Sequence, residues 1–181
     1  LFWILIFLVL VSALPFLPMF QNQFVWDDHE FIVNNPAIRS VFPLTRFFQS
    51  QGRVEKGAIY PIAGTRPVTS LSLAVDYAVG KLKPFGYHLT NLILHVLCTL
   101  AAFVLLRRLT GIAAAWFGAS LFAILPGHAE AVIALFGRAD LLAALFVFIA
   151  FYAYLKSSAR SGPSSVIRER SSLVWYSISV I

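Results

Sequence analysis

Residues 1–20 carry no charged side chain, and Ser12 is their only hydroxyl. A helix of about 20 apolar residues rises roughly 30 Å, the thickness of a bilayer's hydrocarbon core. Such a run predicts a first membrane span. Val11, Ser12 and Ala13 loosely match a small-residue cleavage site, so a secretory signal is the alternative reading, but a basic n-region is not seen and further apolar runs follow. Hydrophobic residues make up 59% of the 181 positions and charged residues 12%, a balance no soluble globule can hide. The chain opens on Leu1, and its last apolar run, 173–181, stops short of a bilayer's width, so it reads as a piece of a longer protein.

The remaining runs predict spans at 87–106, 112–126 and 140–155, with 173–181 beginning a fifth. Arg107 and Arg108 close the second span. Lys156, Arg160, Arg168 and Arg170 follow the fourth, which puts both groups on the cytoplasmic side, with 156–172 as a cytoplasmic loop. The polar stretch 21–86 then lies outside. Its own cations, Arg39, Arg46, Arg53, Lys56, Arg66, Lys81 and Lys83, do not oppose that orientation, because long loops translocate with little regard for charge. The net charge of +6 is thus spread over two sides of a membrane, and nucleic acid is not an expected partner.

Within the outer loop, Asn34, Asn35 and Pro36 mark a turn. Val41, Leu44, Phe47 and Phe48 recur at helical spacing around Arg46, which suggests a short interfacial helix. Glycines and a proline across 52–64 make an irregular stretch. Pro67 can then open a second amphipathic helix, with Val68, Leu71, Val75 and Val79 on one side, lying on the membrane.

Two polar groups gather at the predicted outer edge: Asp27, Asp28, His29 and Glu30 after the first span, and His128, Glu130, Arg138 and Asp140 between the third and fourth. Ionisable groups at a membrane are costly, so such a cluster points to function. The bland alternatives are a capped turn for the aspartates and an ion pair of Arg138 with Asp140 or Glu130 that seals the hairpin. His88, Asn91 and His95 share one helix face, where interhelical hydrogen bonding competes with a functional role. Two histidines without a third ligand do not make a metal site, and no divalent metal is indicated. Cys98 stands alone and is expected to pack as a small hydrophobe.

In order along the chain come Trp26-Asp27-Asp28; Asn34-Asn35-Pro36; Arg66-Pro67-Val68 with Leu71 and Ser72; Pro84-Phe85-Gly86-Tyr87-His88 with Asn91 and His95; and Glu130-Ala131-Val132 with Gly137-Arg138-Ala139-Asp140. This series resembles the transmembrane and tetratricopeptide-repeat (TMTC-like) O-mannosyltransferases, members of the GT-C glycosyltransferases. The resemblance implies an all-α, multi-spanning GT-C-like helical bundle, of which residues 1–181 are the amino-terminal part. The protein would be integral to the bacterial inner membrane or the endoplasmic reticulum membrane, with its active site on the non-cytoplasmic face. It further implies transfer of a sugar, mannose in that family, from a polyprenyl-phosphate lipid to a protein Ser or Thr hydroxyl or a glycan. The lipid-linked sugar is a substrate, and no cofactor is expected.

By that resemblance Asp27 and Asp28 are the catalytic pair, one of them the base. Arg138 and Arg66 would bind the donor phosphate, while His128, Glu130, Asp140, His88 and Asn91 support them. The chain departs from the family where Leu125-Pro126 precedes Gly127-His128 in place of His-Pro, in a shorter and less aromatic first loop than eukaryotic members carry, and in lacking the later spans and repeats. The rival expectation is a non-catalytic membrane anchor or transporter-like module.

Overall fold

The computed structural model describes residues 1–48 and 66–158. The expected irregular stretch 52–64, the expected cytoplasmic loop beyond residue 158 and the last apolar run 173–181 lie outside the described residues. The first span is α1 (Phe2–Ala13) continued by a 3-10 helix (Leu14–Gln21). Pro15 and Pro18 explain the change of helix type, since proline removes a backbone donor and crowds the carbonyl four residues back. Then come a π-helical turn (His29–Val33), two 3-10 turns (Pro36–Arg39 and Leu44–Phe47), α2 (Pro67–Gly80), α3 (Pro84–Leu109), α4 (Ile112–Ile124), α5 (Ala129–Ile133) and α6 (Arg138–Ser158). No strand occurs among the described residues.

Three segments, Phe2–Gln21, Pro84–Leu109 and Leu135–Ser158, are long and apolar enough to cross a membrane. The fourth candidate is bent. α4 holds 13 residues, only about 20 Å at 1.5 Å per residue, and the segment Pro126–Ile133 leaves it at 52°. Leu125, just before Pro126, is extended (φ −61°, ψ 126°), as the residue ahead of a proline prefers.

α3 is the central helix, packed by α1, α2, α4, α5 and α6. Ala115, Ala119 and Ala123 form the buried stripe of α4, and such small residues let helix backbones approach where lipid supplies no hydrophobic drive. Leu8 and Phe103 fill the space beside Ala115 and Ala119. At the other end, Ile32, Ile38 and Phe47, which follow the first span, pack with Leu73 and Ala74 of α2, Tyr87 of α3 and Leu135. The described residues between the first span and α3 therefore form a folded cap with its own small core.

Two details differ from the sequence expectation. The helical spacing around Phe47 closes a single 3-10 turn in which Phe47 is buried and Phe48 exposed. α2 begins at Pro67 as expected, but it buries Ser70, Leu73 and Ala74, leaving Val68, Val75 and Val79 exposed. Its inward face is set by Leu73 and Ala74 packing on Ile32, Ile38 and Phe47, while the adjoining Ser72 and Asp76 meet Arg138 of α6.

Candidate active site

The chain leaves the first span through a tight loop closed by its own acid. Asp28 Oδ2 accepts from the Val25 amide at 3.2 Å, and the Asp28 amide donates to the Val25 carbonyl at 2.9 Å. Asp28 Oδ1 reaches across the fold, accepting from the amides of Leu135 at 3.1 Å and Phe136 at 3.2 Å. One carboxylate thus fastens the loop after the first span to the turn that opens α6. Phe31 stacked on Phe136 at 6.3 Å between centroids adds a second contact. Asp28 is 1% exposed, and burial pushes its carboxyl above the ordinary 3.8, against the lowering by these three amides and by His88.

Its neighbours face the other way. Asp27, His29 and Glu30 are exposed, and Trp26 is 88% exposed with φ +49°. That left-handed backbone costs a bulky residue about 1–2 kcal/mol, and the Asp28 contacts on both sides hold it there.

Arg138 opens α6 and is wholly buried. Its Nη1 pairs with Asp76 Oδ2 at 2.6 Å and lies 3.4 Å from Ser72 Oγ. Its Nε donates to Asn91 Oδ1 at 2.8 Å, and its Nη2 donates to the Tyr87 carbonyl at 3.0 Å. Asn91 in turn donates to the carbonyls of Val132 and Ala134 at 3.3 and 3.2 Å. Asp76 is completed by the Thr90 hydroxyl at 2.7 Å. A buried ion pair is tolerated when its remaining hydrogen-bonding capacity is met in this way. The hub joins α2, α3 and α6. Close approach is built in at Gly137, where a Cβ would lie 2.8 Å from Ala131 Cα.

Of the two polar groups seen in sequence, the structure brings Asp28 against the turn that precedes Arg138, through backbone amides, and the pairing of Arg138 differs from expectation. Arg138 pairs with Asp76, and neither Glu130 nor Asp140 is its partner; both are exposed. A guanidinium spent on protein groups in the core is not placed to receive a lipid phosphate. Arg66 is exposed at the start of α2 and shares an open groove of about 350 Å³ with Asp140. The groove's other walls include Val68, Leu142, Ala143 and Phe146.

His88 is buried beside Asp28 and the Asn22 backbone. His128 lies elsewhere, 4.4 Å from the Phe122 ring and 6.0 Å from His95, whose Nε2 is 3.2 Å from the Ala123 carbonyl. Cys98 is buried, its thiol donating to the Leu141 carbonyl at 3.3 Å. Among the described residues no three His, Cys, Asp or Glu side chains could share a metal ion. Asp76 escaped the sequence reading. Its only signal was a lone acid inside an otherwise uncharged helix.

Over 159 residues the chain is 33% identical to the protein O-mannosyl-transferase F38B6.6 of Caenorhabditis elegans, covering 84% of this chain and 23% of the relative. It is 32% identical over 160 residues to the protein O-mannosyl-transferase TMTC3 of Mus musculus, covering 84% and 16%. TMTC4 of Homo sapiens, also a protein O-mannosyl-transferase, is 31% identical over 197 residues, covering 99% and 26%. The chain belongs to this TMTC-like family. It spans about a quarter or less of the length of these relatives. No family model and no solved structure matches it. In this TMTC-like chain Ser72, Tyr87, Asn91 and Arg138, four residues of the motif series, build one buried hub, whereas Trp26, Asp27 and Arg66 stay at the surface.

Proposed function

We propose that the full-length protein is a glycosyltransferase that moves a sugar from a polyprenyl-phosphate lipid to a hydroxyl on the non-cytoplasmic face of the membrane. The names of its relatives favour mannose as the sugar and a protein Ser or Thr as the acceptor. The observation that carries the reading is the division within the acidic pair: Asp28 is consumed by three backbone amides, while its neighbour Asp27 is exposed on a loop that Asp28 holds still. A general base must reach the proton it removes, so Asp27 takes that role and Asp28 positions it.

The acceptor oxygen attacks the anomeric carbon as its proton passes to Asp27, and the bond from that carbon to the phosphate oxygen breaks. One displacement inverts the anomeric centre. This is distinct from hydrolysis by two carboxylates flanking a glycosidic bond. The departing phosphate needs a cation or donors, and among the described residues ahead of α3 Arg66 is the exposed arginine, able to fork onto two phosphate oxygens. The apolar walls beside it, Val68, Leu142 and Phe146, suit an isoprenoid chain. The mechanism calls on no resident cofactor. Arg107 and Arg108 at the end of α3 favour a cytoplasmic position for that end, with the capped outer loop opposite.

The test is transfer of radiolabelled mannose from a polyprenyl-phosphate donor to a Ser/Thr peptide by the full-length protein in liposomes. Wild type is expected to transfer, and Arg66→Ala to raise the donor KM. A correctly inserted wild type that transfers from no polyprenyl-phosphate sugar would favour the anchor or transporter-like module.

A further inference from the structure

We infer that Trp26 is a sugar-stacking platform, its indole face receiving the pyranose ring of the donor beside Asp27; the inference rests on the transferase reading above. The geometry is unusual for a surface tryptophan. Three hydrogen bonds enclose the residue: the Val25 amide to Asp28 Oδ2 at 3.2 Å, the Asp28 amide to the Val25 carbonyl at 2.9 Å, and the His29 amide to the Trp26 carbonyl at 3.1 Å. They hold Trp26 at φ +49° with 88% of its surface exposed. No other ring and no cation stacks on it among the described residues. A side chain of this size, carried on a backbone that these bonds fix and exposed among the described residues, presents a face to a ligand.

A pyranose fits that face. One side of the ring presents C–H bonds polarised by the attached oxygens, and an aromatic face carries the complementary negative charge of its quadrupole. Position agrees as well. The acceptor oxygen that Asp27 would deprotonate must come within about 3–3.5 Å of the anomeric carbon, so the sugar ring lies against the residues flanking Asp27. The competing occupant is lipid, since tryptophans gather at membrane interfaces. Two exposed carboxylates, Asp27 and Glu30, stand close by in the chain. An anionic lipid surface repels such groups, whereas sugar hydroxyls donate hydrogen bonds to them. A membrane anchor also gains nothing from a backbone locked in an uncommon conformation.

The experiment measures donor KM, acceptor KM and kcat for full-length wild type, Trp26→Ala, Trp26→Leu and Trp26→Tyr in liposomes. Direct binding of a short-chain polyprenyl-phosphate mannose is read alongside by calorimetry. Loss of one aromatic face should raise donor KM and Kd about 3- to 10-fold. Ala and Leu should behave alike, Tyr should recover most of the loss, and acceptor KM should hold. Recovery by Leu would assign the residue to lipid and overturn the inference. So would a change confined to acceptor KM, an unchanged donor Kd in Trp26→Ala, or no binding of the mannose probe by wild type. Wild type that binds the probe more tightly than Trp26→Ala yet transfers nothing would sink the transferase reading and leave the platform standing.

Discussion

The Arg138 hub and the Trp26–Asp27 rim lie on either side of one carboxylate, Asp28, and they use charge in opposite ways. In the hub the charged groups are buried or nearly so and answered: Arg138 by Asp76, Asn91 and the Tyr87 carbonyl, and Asp76 by Thr90 as well. At the rim the charged and aromatic groups are exposed and have no such partners among the described residues, and the backbone is held in a costly conformation. Charges that are dear to bury are spent on holding helices together, and the ones left free for chemistry are those the scaffold does not need. Among the motif residues, burial therefore argues against a chemical role more often than for one.

Breaking the hub should have the largest effect on the fold. Arg138→Ala leaves Asp76 without its buried partner, and removing one member of such a pair typically costs about 3–5 kcal/mol. Thermal unfolding in detergent should show a steep loss or no folded protein, while the double variant Arg138→Leu with Asp76→Leu should recover much of it. A wild-type melting temperature for Arg138→Ala would mean that the hub carries no load.

Next comes the turn beneath it. Gly137→Ala would press a methyl group against the Ala131 backbone at 2.8 Å, where overpacking costs about 1–3 kcal/mol. A lowered Tm with little change in Arg66-dependent donor use is the expected pattern.

Asp28 joins the two regions, and its variants sharpen the contrast. Asp28→Ala strands three amides, one of them at the buried Leu135, where an unmet donor costs about 1–3 kcal/mol. Asp28→Asn can keep the two bonds to Oδ1 and lose only that to Val25, so it should cost less. Because burial raises the Asp28 pKa in the folded state, its contribution to stability is full below the ordinary 3.8 and declines as pH rises through the raised value. Tm of wild type relative to Asp28→Asn should therefore fall as pH rises across that window. A difference between the two that stays flat with pH would contradict the assignment.

Much of this architecture is readable from letters alone, because apolar run length sets the spans and because Pro67, Pro126 and the Asn35-Pro36 pair have fixed backbone consequences. Asn35 does cap its turn, accepting from the Ala37 amide at 2.9 Å. The partner of Arg138 was not readable. Asp76 sits on a helix whose apolar residues suggest the wrong buried face, and only the folded chain brings α2 against α6. Nor could sequence separate Asp27 from Asp28, adjacent and identical side chains whose difference is created by amides more than a hundred residues away. The left-handed backbone of Trp26 has no composition signal at all, since tryptophan is among the residues least expected there.

The most direct test of this division of labour compares Asp27→Asn with Asp28→Asn in the full-length protein, reading sugar transfer per folded molecule and Tm together. Asp27→Asn should lower transfer about 10²- to 10⁴-fold, the usual size of a lost general base, with Tm unchanged. Asp28→Asn should lower Tm at low pH and keep most of its transfer per folded molecule. Full transfer by Asp27→Asn, or a loss in Asp28→Asn as deep as that in Asp27→Asn once folding is accounted for, would contradict the account.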